Sequence, residues 1–174
     1  KPLSIAESMS AELGIPLQSK VILYSGNLGE KQGVEILIDV AAEFKAQPDV
    51  LFVIAGEGAS KLRLIEYAKN NNVTNVLFLP LQAYTKLVYF LACADIHMFI
   101  QKKSAADLVL PSKFMSILSA GGVALVTAER GTSLHTMITN HTLAHIGEAE
   151  NKTALIESIH TILANDQTHI KTNA

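Results

Sequence analysis

Apolar positions along the chain follow two alternating patterns. Short runs such as Val50–Ala55 are apolar throughout, which is typical of strands that are buried on both faces of a parallel sheet. Between such runs, apolar residues recur at intervals of three and four, which predicts helices with one buried face. One such helix is predicted over residues 33–46, with an apolar face formed by Val34, Leu37, Ile38, Ala41 and Phe44.

The alternation continues to the end of the chain and predicts a fold class. Strands are predicted at 20–25, 50–55, 76–79, 95–100, 123–127 and 142–146. Helices are predicted at 3–13, 33–46, 59–71, 112–120, 132–138 and 152–164, and a further helix is marked by Tyr84, Leu87, Val88 and Leu91. This order predicts an α/β fold with a doubly wound, Rossmann-like parallel sheet of about six strands, which binds ligands at the carboxyl ends of its strands.

Composition narrows the class of protein. The 174 residues are 49% hydrophobic and 17% charged, so they suffice for one globular domain with a sizeable core. A net charge of −2 argues against a general nucleic-acid binder. The single cysteine, Cys93, excludes a disulfide within the chain and fits a reducing compartment. No apolar run approaches the ~20 residues of a membrane span. The chain opens on Lys1 rather than methionine, so we expect a fragment of a longer protein.

A glycine-rich loop, Ser25-Gly-Asn-Leu-Gly-Glu-Lys-Gln-Gly33, follows the first strong strand. Gly26, Asn27, Leu28 and Gly29 could let the backbone approach a pyrophosphate, and Lys31 could then reach a phosphate oxygen. An ordinary turn with a solvated lysine is an equal alternative for this loop alone. The spacing meets neither the dinucleotide fingerprint Gly-x-Gly-x-x-Gly nor the P-loop pattern.

A second loop of similar character precedes the helix that opens on Ser112 and Lys113, directly after Pro111. The first turn of a helix offers free N–H groups and a positive dipole end, and Lys113 adds a cation there. This arrangement predicts an anion site, most plausibly for phosphate. Two such loops on one α/β chain suggest a ligand with more than one anionic group, such as a nucleoside diphosphate.

Other polar residues near the predicted strand ends are weaker candidates. In Gly56-Glu57-Gly58, Gly58 is interpreted as a turn residue, whereas Glu57 could accept hydrogen bonds from sugar hydroxyls or serve as a charge at a helix N-terminus. Asp107 could meet a ligand hydroxyl or face solvent. Lys102 and Lys103 are interpreted as a solvated loop.

The histidines do not indicate a metal site. His97 falls within a predicted strand and is interpreted as a packed core residue. His141 and His145 are four apart, on a predicted strand rather than a helix, and lack an evident third ligand. His135 is a weak site candidate near the ligand edge.

Five segments together carry a resemblance over nearly the whole chain. They are Tyr24-Ser-Gly-Asn-Leu-Gly-Glu-Lys-Gln-Gly-Val-Glu35, Val53-Ile-Ala-Gly-Glu-Gly58, Asn75-Val-Leu-Phe-Leu-Pro80, Ala92-Cys-Ala-Asp-Ile96, and Leu110-Pro-Ser-Lys113 with Gly121. In this order and spacing the chain resembles the C-terminal, nucleotide-sugar-binding half of a GT-B glycosyltransferase of family 4, of the bacterial exopolysaccharide and colanic-acid type.

The resemblance implies roles for particular residues. Gly26, Asn27 and Lys31 would hold the donor's diphosphate, and the segment around Leu81 would meet the base. The stretch from Asp107 to Ser116 would meet the sugar, phosphate and ribose through Asp107, Leu110, Ser112, Lys113 and Ser116.

The chain departs from the family pattern at two kinds of position. Many members carry a Glu-x7-Glu pair in that last stretch, and the matching positions here are Leu108 and Ser116. An arginine often found early in the first loop is absent, and Asn27 lies nearby. Either Ser112 and Lys113 take over donor binding, or donor binding is weak. No residue is a convincing nucleophile or base.

The implied function is that of a donor-binding domain in polysaccharide biosynthesis. The parent enzyme would transfer a sugar from a nucleoside-diphosphate sugar to a glycan or lipid-linked acceptor, without a metal or other cofactor. Its N-terminal acceptor domain would precede residues 1–174, in the cytoplasm or at the inner membrane surface. The alternatives are a nucleotide-sugar epimerase of the same architecture and a non-catalytic nucleotide-binding module.

Overall fold

The computed structural model describes residues 3–103, 112–119, 121–141 and 144–165, with the backbone alone at 112 and 113. The strands are β1 (Lys20–Ser25), β2 (Val50–Ala55), β3 (Val76–Leu79), β4 (Ile96–Phe99), β5 (Ala124–Thr127) and β6 (His145–Gly147). The α-helices are α1 (Ile5–Glu12), α2 (Glu35–Glu43), α3 (Lys61–Asn70), α4 (Leu87–Leu91), α5 (Ser112–Ser119), α6 (Ser133–His141) and α7 (Lys152–Ala164). Two 3-10 turns occupy Glu30–Gln32 and Tyr84–Lys86.

The six strands form one sheet in the order β3-β2-β1-β4-β5-β6, and every pair is parallel. The chain winds outward from β1 in one direction through β2 and β3, and then in the other through β4, β5 and β6. Strands β1 and β4 are therefore neighbours at the point where the winding reverses, which is where sheets of this kind bind ligands. The predicted α/β fold with a doubly wound, Rossmann-like parallel sheet is confirmed.

Two hydrophobic clusters cover the two faces of the sheet. Ile22 and Tyr24 of β1 pack with residues of α2, α3 and α7. The alternate residues Val21 and Leu23 pack with residues of α1, α4, α5 and α6. Successive side chains of a strand point to opposite faces, so a strand between two helical layers must be apolar at every position. This explains why the strands are continuous apolar runs in the sequence.

The structure differs from the sequence-based expectation near α4. The sequence marks one helix by Tyr84, Leu87, Val88 and Leu91, whereas the structure divides this segment into two elements. Tyr84 is 89% exposed and Val88 is 62% exposed. A 3-10 turn at Tyr84–Lys86 precedes α4, and its tighter winding of three residues per turn breaks the regular helical spacing. Phe90 and Leu91 are the buried residues of α4. The predicted helix is thus confirmed for Leu87–Leu91, and Tyr84 lies before it in the 3-10 turn.

The C-terminal elements show smaller differences. Strand β6 is described at His145–Gly147, rather than over the predicted 142–146. In α7, Leu155 and Ile159 are buried as expected, and Ile162 is buried as well. Ile156 and Leu163, also expected to face inward, are partly buried against the same cluster. The predicted inward face of α7 is thus present, and it also includes Ile162.

Candidate functional site

The candidate site lies at the carboxyl ends of β1, β2 and β4. It is formed by the loop from Gly26 to Gly33 after β1, the loop Gly56-Glu57-Gly58 after β2, and residues 100–103 after β4. These segments come together because β1 pairs with both β2 and β4. The structure thus places the glycine-rich loop at the point where the winding of the sheet reverses.

Close backbone contact joins the first two loops. The Gly26 N–H donates to the Ala55 carbonyl at 2.9 Å, and the Leu28 N–H donates to the Glu57 carbonyl at 2.8 Å. The Leu28 carbonyl in turn accepts from the Ser60 N–H at 2.9 Å. A Cβ at position 58 would lie 2.6 Å from the Leu28 carbonyl oxygen, so only glycine fits there. The sequence predicts Gly58 only as a turn residue, and the contact with Leu28 was missed. The available signal was a glycine pair directly after each of two strands.

The glycine-rich loop is also held by a buried side chain and by a hydrogen bond from β1. Leu28 is fully buried, and the Tyr24 hydroxyl donates to the Asn27 carbonyl at 2.8 Å. Burial raises the pKa of the Tyr24 phenol well above its usual range, so the hydroxyl keeps the proton that it donates. Asn27 itself is exposed. The loop is therefore a rigid backbone platform whose polar side faces outward.

Lys31 lies on this platform, in the 3-10 turn at Glu30–Gln32, which ends at Gly33 with a φ of 64°. The Lys31 side chain is exposed, and none of the described carboxylates forms an ion pair with it. Its main-chain carbonyl accepts a hydrogen bond from the Lys102 N–H at 3.4 Å. Lys31 is thus a cation held at the reversal point with its charge available to a ligand.

The two lysines after β4 have different environments, although both were interpreted as solvated. The Lys102 stem crosses Gly33, because a Cβ built there would lie 3.0 Å from the Lys102 Cγ. Lys102 is half-buried, whereas Lys103 is exposed. The Lys103 Nζ lies 3.8 Å from Glu148, and its N–H donates to the Glu150 carboxylate at 3.1 Å. The two side chains therefore differ in their contacts, since the Lys102 stem packs on Gly33 while Lys103 lies beside Glu148.

Glu57 has a partner within the protein. Its carboxylate lies 2.6 Å from the Lys61 ammonium, one helical turn along the chain in α3. This geometry fits a charge near the N-terminus of α3. A role for Glu57 in binding sugar hydroxyls stays a prediction, and it would require competition with Lys61.

Leu81 and Ser116 belong to two other elements, the loop after β3 and helix α5. Leu81 is 53% exposed in the loop after β3. Ser116 is half-buried on α5 and lines an apolar cleft of about 310 Å³ with Tyr84, Val88 and Met115. Helix α5 begins at Ser112, as the sequence predicts. The roles of these residues in donor binding stay predictions, and Asp107 and Leu110 lie outside the described residues.

The histidines of the described residues occupy different kinds of position. His141 is the last residue of α6 and His145 is the first residue of β6, so the placement of both on a strand was wrong for His141. His97 is 1% exposed within β4, so its interpretation as a core residue is confirmed. His135 lines a cleft of about 470 Å³ with Glu129, Arg130 and Glu148, at the carboxyl ends of β5 and β6. Across the described ranges, no three His, Cys, Asp or Glu side chains are grouped as metal ligands would be. His135 therefore lies at the ligand edge, away from the glycine-rich loop.

Among the helices that the structure describes, none has the length and apolar character needed to cross a bilayer.

The fold is a doubly wound parallel sheet with a glycine-rich loop at its reversal point, and the family of the chain is established by sequence. Residues 6–174 match the family described as glycosyl transferases group 1. The chain belongs to this family.

The chain is also similar to one relative in sequence and to two solved structures in fold. The chain is 40% identical over 158 residues to WcaI of Escherichia coli (strain K12), a glycosyl transferase assigned to colanic acid biosynthesis. That alignment covers 90% of the chain and 39% of WcaI, so the chain spans about two fifths of this relative.

The solved structures confirm the fold. Anabaena HepE in complex with UDP and glucose superposes with a TM-score of 0.78 at 16% identity, over 99% of this chain and 46% of HepE. The C-terminal domain of the Francisella tularensis protein LpcC, from the same family, superposes with a TM-score of 0.74 at 13% identity. The alignment covers 99% of this chain and 89% of that domain, which was crystallised without the rest of its protein.

Proposed function

We propose that this chain is the donor-binding domain of a glycosyltransferase. The parent enzyme transfers a sugar from a nucleoside-diphosphate sugar to a glycan or lipid-linked acceptor in polysaccharide biosynthesis. The observation that carries the proposal is the rigid glycine-rich loop at the β1/β4 reversal point, which holds Lys31 outward with no described carboxylate paired to it. The 40% identity to WcaI and the UDP-bound HepE structure support the choice of ligand class and pathway.

The proposed chemistry is electrostatic. When the bond between the sugar and the diphosphate breaks, negative charge grows on the departing phosphate oxygen. Lys31 and the N-terminus of α5, which begins at Ser112, would stabilise that charge. We propose that these groups serve without a metal ion, so chelation by EDTA should leave transfer by the parent enzyme unchanged.

The acceptor site belongs, in this proposal, to an N-terminal domain of the parent enzyme. Catalytic clefts often form between two domains, and the chain spans 39% of WcaI. The chain alone would then bind the donor and leave it intact. Binding and transfer therefore become separable measurements on this chain.

The experiment measures both. Calorimetry of the 174-residue chain with UDP, GDP, ADP and dTDP is compared with the matching nucleosides. We expect at least one diphosphate to bind and its nucleoside to bind much more weakly. Incubation with the corresponding nucleotide sugar and a glycan acceptor should yield no transfer product. Sugar transfer by the chain alone would contradict the division of roles, and absence of binding to all four diphosphates would contradict the proposal as a whole.

A further inference from the structure

The segment after β4 places a second lysine against the glycine-rich loop. We propose that Lys102 binds the donor's diphosphate together with Lys31, so that the loops of two adjacent strands hold the phosphates from two sides. This inference rests on the proposed function and assigns to the same site a binding residue that the sequence did not suggest.

The position of Lys102 follows from two contacts. Its N–H donates to the Lys31 carbonyl at 3.4 Å, which ties the segment after β4 to the turn that carries Lys31. Its aliphatic stem lies across Gly33, with Cγ and Cε at 3.0 and 3.2 Å from where a Cβ would be. The absence of a side chain at Gly33 leaves the space that the stem occupies. Lys102 is thus positioned relative to Lys31 by backbone and packing, before any ligand is present.

The charges around Lys102 leave it available. A cleft of about 350 Å³ beside it includes three carboxylates, of Glu35, Asp39 and Glu150. Each carboxylate has another partner: Arg63 for Glu35, the Tyr67 hydroxyl at 2.8 Å for Asp39, and the Lys103 N–H at 3.1 Å for Glu150.

Lys102 itself takes part in none of the ion pairs among the described residues. A diphosphate carries more than one negative charge, and a single lysine acts on it only as one point charge. Lys102, in the segment after the neighbouring strand, supplies a second positive charge to balance the diphosphate charge that Lys31 alone does not neutralise.

The neighbouring Lys103 provides a matched control. It lies one residue along the same segment, but its ammonium is 3.8 Å from Glu148. Lys102→Met keeps the stem that packs on Gly33 and removes only the charge. Lys103→Met makes the same chemical change beside the site.

The test is calorimetry of the 174-residue chain with UDP and with uridine. We expect Lys102→Met to raise the Kd for UDP by about tenfold or more, the scale of a charge-assisted hydrogen bond. Lys103→Met should change it less than about twofold, as expected for an exposed charge away from the ligand. Neither variant should alter uridine binding or the thermal midpoint, and Lys102→Arg should recover most of the affinity for UDP.

A double-mutant cycle measures the coupling between Lys31 and Lys102 in UDP binding. If both lysines contact the same diphosphate, the losses in Lys31→Met and Lys102→Met should fail to add in the double variant.

Equal affinity for UDP in Lys102→Met and Lys103→Met, with the wild-type chain binding UDP, would overturn this inference alone. Parallel loss of UDP and uridine binding in Lys102→Met would overturn it too, as a sign of misfolding. Failure of the wild-type chain to bind any nucleoside diphosphate would overturn the proposed function and this inference with it.

Discussion

Gly56 lies so close to Gly26 that a Cβ at position 56 would fall 2.0 Å from the Gly26 carbonyl oxygen. The two residues follow adjacent strands, β1 and β2, whose last residues Ser25 and Ala55 are paired in register. The loops after the two strands therefore share one surface, and the position of each depends on the other. The glycine-rich loop owes its shape to this contact as much as to its own sequence.

Gly56→Ala should destabilise the chain. The added methyl group would meet a backbone carbonyl, which cannot move away as a side chain can, and overpacking of this kind costs about 1–3 kcal/mol. The free energy of unfolding in urea measures the loss. Gly29→Ala is the control, because a Cβ there would meet the flexible ends of Gln32 and Asn27, at 2.9 and 3.2 Å. Equal stability of the two variants would show that the loops can separate without cost.

Tyr24→Phe should lower the free energy of unfolding at neutral pH by about 1 kcal/mol, because the Asn27 carbonyl loses a hydrogen-bond donor. The deficit should depend on pH. Burial raises the pKa of Tyr24 in the folded chain, while a tyrosine in the unfolded chain has a pKa of about 10. The wild-type stability from this group is thus complete below about pH 10 and is lost as the pH rises further.

The difference between wild type and Tyr24→Phe should therefore shrink above about pH 10. Urea unfolding at several pH values follows this difference. Tyr84→Phe, at an exposed position, is the control and should track the wild type throughout. A difference that stays constant with pH would mean that Tyr24 ionises as readily in the folded chain as in the unfolded one.

Lys31→Ala should weaken binding of a nucleoside diphosphate by about 1–3 kcal/mol, the scale of a hydrogen bond to a charged group. Binding of the nucleoside without phosphates should hardly change. Calorimetry with UDP and uridine makes the comparison. An equal loss for both ligands would indicate misfolding, and no loss for UDP would return Lys31 to the interpretation as a solvated surface lysine.

Lys113→Glu should abolish binding of a nucleoside diphosphate while the thermal midpoint of the unliganded chain hardly changes. Position 113 is the second residue of α5, and a glutamate in a first helical turn is favourable to the helix but repels a phosphate. Lys45→Glu is the charge-matched control, after α2 and near the amino end of β2. A Lys113→Glu variant that binds UDP like the control would remove α5 from the site.

The sequence was sufficient to predict the elements whose apolar pattern alone determines which residues are buried. Val50–Ala55 is apolar at all six positions, and the structure has a strand with these bounds between two strand neighbours. The spacing over 33–46 likewise predicts α2, whose buried residues include Leu37, Ile38 and Ala41. Burial of such residues follows from the hydrophobic effect and the period of the element, without knowledge of the neighbours.

The sequence was less informative where a residue's environment depends on neighbours that are distant in the chain. Tyr84 has helical spacing with Leu87 and Val88, yet it lies in the 3-10 turn before α4 and is exposed. Lys102 and Lys103 are chemically identical and adjacent in sequence, but only the tertiary structure places one against Gly33 and the other beside Glu148. The residues predicted to meet the sugar, Asp107 and Leu110, lie outside the described range, so their assignment stays a prediction.

The sequence by itself determined the α/β class, the number of strands, and the glycine-rich loop with Lys31, because apolar periodicity and glycine content are local properties. Only the tertiary structure decided the strand order β3-β2-β1-β4-β5-β6, the contact between Gly26 and Gly56, and the place of Lys102 beside Lys31. Each of these depends on which strands become neighbours. That choice depends on packing between residues far apart in the chain, which no local pattern encodes.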